Sequence, residues 1–70
     1  MAADPDLIHF GKTVRRLREA EGISQEELAH RCGLHRNYIG GIERGERNVG
    51  LKAVFSLAHG LGVQAVSLFE

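Results

Sequence analysis

Apolar residues return at three- and four-residue steps along most of this chain, and nowhere do they alternate as a strand would require. Leu7, Phe10, Val14 and Leu17 form the first stripe, with Lys12, Arg15, Arg16 and Glu19 opposite, which predicts a helix from about Asp6 to Glu21. Gly22 ends it, and Met1 to Asp6 reads as a frayed end with Pro5 acceptable in the first turn. Ser24 and Glu27 then make S-x-x-E, a capping box that starts a second helix at Gln25, and Ile23 is placed to staple onto Leu28. Leu28, Ala29 and Cys32 give this helix an apolar face, while Glu26, Glu27, His30 and Arg31 take the wet side.

Gly33 follows where a helix end favours a residue with positive φ. Three residues on, with His35 as a weak N-cap, Tyr38, Ile39 and Ile42 supply the buried side of a third helix that stops at Gly45. Two short helices about three residues apart, with a small Ala29 where they cross, describe a helix-turn-helix over residues 25–44. Glu46 to Gly50 is a polar connector. Val54, Phe55, Ala58 and Leu61 mark a fourth helix from Leu51 to the stop at Gly62, weakened in its last turn by Gly60. Val63, Val66, Leu68 and Phe69 suit a final short helix or helical turn. The expected architecture is all-α, a single domain of five helices, without internal repeats or low-complexity segments.

A core of 70 residues rarely supplies more than about 3 to 5 kcal/mol of net stability, so help from an oligomer interface or a bound partner is expected. One cysteine cannot close an intramolecular disulfide, no apolar run is long enough for a membrane span, and the acidic start lacks the basic residues of a secretion signal. These features point to the cytoplasm. Nine basic residues balance nine acidic ones, which argues for charge sorted onto faces rather than a basic tail. Between His35 and Lys52 stand Arg36, Arg44, Arg47 and Lys52 against Glu43 and Glu46, whereas much of the acid lies elsewhere, at Asp4, Asp6, Glu19, Glu21, Glu26 and Glu27.

The chain resembles the lambda-repressor-like DNA-binding domains of the Cro and phage-repressor class, the XRE family. The likeness runs from about Phe10 to Phe69 and rests on V-x-x-L-R at Val14 to Arg18, G-I-S-Q-E-E-L-A at Gly22 to Ala29, C-G-L at Cys32 to Leu34, Y-I-x-x-I-E-R-G at Tyr38 to Gly45 and L-G-V at Leu61 to Val63. The wording H-R-N-Y-I-G-G-I-E-R-G-E-R-N is similar to small stand-alone regulators, among them the controller proteins of restriction-modification systems. The resemblance implies that Gln25 holds a DNA phosphate beside its helix N-terminus, that Arg44, Arg47 and Asn48 contact the DNA backbone, and that Arg18 and Glu43 form a structural ion pair. The family's pattern also places a base-reading side chain where this chain has Gly41.

Elementary geometry agrees with a DNA-binding role. A major groove about 12 Å wide accepts one helix, and the helix from about Arg36 to Arg44 is the natural reader. Arg36 can pair with the O6 and N7 of guanine and Asn37 with the N6 and N7 of adenine, each discriminating by about 1 to 3 kcal/mol. His35 and Tyr38 stand ready for the DNA backbone at the same end. Gly40 and Gly41 remove side chains from the reader, so the helix is expected to press close to DNA and part of the specificity to come from DNA shape. A homodimer on a palindromic operator is expected, with the greasy terminus Val63 to Phe69 as its surface.

Enzyme chemistry finds no support in the residues. Glu27 and His30 form E-x-x-H and Cys32 and His35 form C-x-x-H, yet a metal site needs three or four converging ligands. Cys32 fits an apolar slot as a core thiol. No cofactor is expected, and double-stranded DNA is the expected partner, with exposed Glu26 and Glu27 as a candidate contact for RNA polymerase. The rival expectation is an antitoxin-like interaction module, or the DNA-binding part of a larger regulator.

Overall fold

A computed structural model describes residues 3–70. Four α-helices follow one another: α1 over Pro5–Ala20, α2 over Gln25–Cys32, α3 over Arg36–Glu43 and α4 over Leu51–Leu61. The fifth expected helix is a 3-10 helix, Ala65–Phe69, and no strand occurs among the described residues. Helix α1 reaches back to Pro5 because Asp4 caps it, accepting from the N–H groups of Asp6 at 2.8 Å and Leu7 at 3.4 Å. The expected frayed end therefore stops short of Asp4; its first two residues, Met1 and Ala2, lie outside the described residues.

Helix α2 starts as its cap requires, with the Glu27 N–H donating to Ser24 Oγ at 3.0 Å. The capping box is half made, because the Glu27 carboxylate instead accepts from Arg31 Nε at 3.2 Å, one turn along. Gly22, Gly33, Gly45 and Gly62 all carry φ between 67° and 76°, the left-handed region that ends α1, α2, α3 and α4 as the sequence marks.

The core gathers Phe10, Val14, Leu28, Ala29, Ile39, Ile42, Val54, Leu57, Ala58, Leu61 and Leu68. Leu57, rather than the expected Phe55, fills the α4 slot, since Phe55 lies on the outward side of the helix and is 47 % exposed. Leu68 closes the core from the 3-10 helix, leaving Val66 and Phe69 outside. At Gly60 the sequence suggests only weakness, yet the glycine is buried where α4 crosses α2: a Cβ there would come within 2.5 Å of Cys32 Sγ. Burial pushes the Cys32 thiol up from its ordinary value, outweighing the opposing pull of the Gly60 backbone and the Arg31 charge, so it remains a neutral packing group.

Helix α1 packs across α3 through another glycine. A Cβ on Gly11 would collide with the backbone carbonyl oxygens of Ile42 and Glu43, so the two helices touch main chain to main chain. Beside this crossing, Arg18 donates to Glu43 through Nε at 2.7 Å and Nη2 at 3.1 Å, with the two side chains only 12 % and 4 % exposed. The hydrogen bond to Glu43 raises the Arg18 pKa further above its already basic value, against the cost of burial. An exposed pair such as Arg15 with Glu19 contributes less than about 1 kcal/mol, whereas stranding one member of a buried pair costs about 3 to 5 kcal/mol. Arg18 and Glu43 therefore set where α3 sits, and the other ion pairs decorate the surface.

Candidate nucleic-acid interface

The N-terminal turn of α3 projects from the molecule because the tight turn at Gly33 swings the chain outward while Ile39 and Ile42 bury the opposite face. His35 caps this turn, its Nδ1 accepting from the Asn37 N–H at 3.2 Å. An imidazole nitrogen that accepts carries no proton, so the proton sits on Nε2, which is left as a donor. Arg36 and Asn37 are both exposed at the head of the helix, uncovered by any described residue. Tyr38 is half-buried, with its ring beneath Arg47, whose guanidinium carbon lies 5.6 Å from the ring centroid.

Further along α3 the surface differs from the open glycine face that the sequence suggests. Gly40 and Gly41 are buried, not by the core but by arginine side chains rooted beyond the helix. A Cβ on Gly41 would come within 3.0 Å of Arg47 Cγ and 3.2 Å of its Nε; one on Gly40 would come within 3.1 Å of Arg44 Nη1. The double glycine is thus a floor on which two cationic side chains lie. Arg44 also pairs with Glu46 at 3.1 Å, an exposed contact.

Gln25 is brought to the same face by its position at the first residue of α2, but its amide is not idle: Nε2 donates to Glu43 Oε1 at 3.0 Å, leaving one N–H unspent. His35, Arg36, Asn37, Tyr38, Gly41, Arg44 and Arg47 therefore share α3 and the connector just past it, with Gln25 alongside. Asn48 follows Arg47 on the same connector and is exposed. It lines a shallow groove with Asp6, His9, Val49 and Phe69, on the side where α1, α4 and the 3-10 helix meet. Among the described residues, no group of three or more His, Cys, Asp or Glu side chains converges as metal ligands would, and no helix is long and apolar enough to cross a membrane.

Two features are not evident from sequence reasoning of this kind. Gly40 enters it through helix propensity and closeness to DNA, although paired glycines inside a helix are equally a signal of close approach within the protein. The Gln25 to Glu43 hydrogen bond leaves no local signal, since its partners are 18 positions apart.

A short bihelical unit whose second helix has an exposed head and arginine side chains laid over its middle is the architecture of a helix-turn-helix module. The helix-turn-helix family model matches residues 14–68, and the chain belongs to that family. It is similar to the control protein C.BamHI of Bacillus amyloliquefaciens, 47 % identical over 62 residues that cover 87 % of this chain and 76 % of the relative. The crystal structure of the restriction-modification controller protein C.AhdI from Aeromonas hydrophila superposes with a TM-score of 0.93 at 48 % identity, covering 94 % of this chain and 100 % of that one. A structure of the controller protein C.Esp1396I, a tetramer in complex with its natural 35 base-pair operator, matches with a TM-score of 0.87 at 35 % identity over 94 % of this chain and 87 % of that one.

Proposed function

We propose that this chain is a sequence-specific, double-stranded DNA-binding transcriptional regulator of the controller type, acting in the cytoplasm by binding rather than by catalysis. The observation that carries the reading is the exposed pair Arg36 and Asn37 at the capped, outward end of α3. In a major groove, these two supply base contacts, Arg36 to guanine and Asn37 to adenine. Gln25, the Nε2–H of His35, the Tyr38 hydroxyl, Arg44 and Arg47 lie around them and suit phosphate contacts, which position the helix without reading sequence. Gly41 keeps the middle of the reader thin, so that α3 sits deep once Arg47 swings toward the DNA.

One such helix reads too few base pairs to select a site in a genome, and a two-fold dimer on a palindromic operator doubles them at a spacing of about 34 Å. Leu51 and Phe55 on α4 and Val66 and Phe69 on the 3-10 helix are large, exposed and apolar, and α4 packs against the 3-10 helix, which suits this side of the molecule to a second copy. Exposed Glu26 and Glu27 near the reading helix offer an acidic edge for RNA polymerase.

Selection of bound sequences from random duplex DNA tests the proposal. The expected result is a palindrome whose half-sites lie about one helical turn apart, with log affinity falling by about 0.9 per phosphate contact for each unit of log salt. Absence of duplex binding at low salt overturns it.

A further inference from the structure

The amide of Gln25 has a donor end and an acceptor end, and only one orientation lets it hold an anion. Here the neighbour decides: the Glu43 carboxylate, ionised beside Arg18, can only accept, so the nitrogen end must face it at 3.0 Å. The carboxylate has no freedom to turn away. Both of its oxygens are held by Arg18, whose Nη1 in turn donates to the Ile23 carbonyl at 2.8 Å. The oxygen end of the amide is thereby directed toward Gly40, where a Cβ would stand 3.5 Å from Oε1. A relay thus runs from α1 through the end of α3 to the first residue of α2.

We infer that Glu43 is a positioning residue for DNA binding: it fixes the Gln25 amide so that the nitrogen, with its second N–H, is offered to a backbone phosphate. The flipped amide, whose oxygen a phosphate would repel, is excluded. This inference rests on the DNA-binding reading above. The ion pair of Arg18 and Glu43 then does more than brace the fold, because its far end is the contact that sets the height of α2 on the DNA.

A double-mutant cycle tests it, using Gln25→Ala and Glu43→Gln against a duplex recovered by the selection, across a salt series, with thermal unfolding of every variant alongside. Glutamine at 43 keeps the shape but can offer either end to Gln25, so the amide is no longer oriented. Each single variant is expected to bind about tenfold more weakly at every salt concentration, with the slope nearly unchanged because a neutral amide displaces no counterion. The double variant is expected to bind no worse than Gln25→Ala alone. Arg18→Lys, which leaves the Glu43 carboxylate charged and Gln25 held, is expected to lower the melting temperature yet keep the original affinity. If Glu43→Gln does not fold, Glu43→Asp takes its place, since the shorter carboxylate keeps its charge but withdraws from Gln25. A position-43 variant that melts earlier but binds with unchanged affinity, or whose effect adds in full to that of Gln25→Ala, overturns the inference while leaving the DNA-binding reading intact. Failure of the unaltered chain to bind any duplex overturns that reading instead.

Discussion

Arg36 differs from the other arginines near α3 in having no described neighbour to lean on: Arg44 is paired with Glu46, and Arg47 rests on Tyr38 and Gly41. A free guanidinium at a helix head can enter a groove without first breaking a contact. Arg36→Ala is accordingly expected to relax preference at one base pair in each half-site by about 1 to 3 kcal/mol, leaving non-specific binding and its salt slope nearly intact. Competition between selected and single-base-altered duplexes measures this; a uniform loss on all sequences would make Arg36 a phosphate contact instead. The positions of Arg36, Asn37 and His35 are legible in the sequence because each acts locally, through helix position and a cap. Gly41 is left open by the same reasoning, because what covers it comes from a side chain further along the chain.

At the level of elements, the telling contact is the crossing of α1 and α3 at Gly11. Alanine favours a helix interior over glycine by about 1 kcal/mol, so Gly11→Ala ought to stabilise an isolated α1. In the folded chain the added methyl meets the carbonyl oxygens of Ile42 and Glu43, main-chain atoms with no rotamer to escape into. Overpacking of this kind costs about 1 to 3 kcal/mol or more, and the collision is expected to win: Gly11→Ala should melt at lower temperature and bind DNA more weakly by tilting the reader. Thermal unfolding with a binding titration checks both, and a variant of raised stability would show that the helices do not touch there. Helix starts and stops are legible from Ser24 and from the glycines after α1, α2 and α4, since capping is decided within a few residues. The glycine in the middle of α1 is a readable sign of close approach as well, but periodicity alone passes over a position without a side chain. The last element is readable as apolar and helical, while its 3-10 form and the choice of Leu68 as its buried residue come only with the fold.

For the molecule as a whole, α4 and the 3-10 helix leave Leu51, Phe55, Val66 and Phe69 at 72 %, 47 %, 62 % and 60 % exposure, an amount of grease unusual for a small monomer. The Phe69 ring does lean on Phe10, with centroids 5.4 Å apart, so the terminus is both anchored and outward-facing. Replacing Leu51 and Phe55 together by glutamate is expected to yield a folded monomer in sedimentation at tens of micromolar, with operator affinity reduced by about 100-fold or more because each half-site must then be occupied alone. An unchanged dimer would move the interface elsewhere. The expectation of a terminal dimer surface comes from composition, and α4 enters only with the fold, since a helical stripe read along the chain counts Phe55 as core.

The glycine floor of α3 carries a consequence for how the grip of such a module can be tuned. Where a reader carries its cations on its own turns, a change of grip means rebuilding the helix. Here the cationic groups above its middle hang from residues 44 and 47, downstream of the helix, so a single substitution there can loosen or tighten the hold while the reading head and the scaffold underneath stay whole.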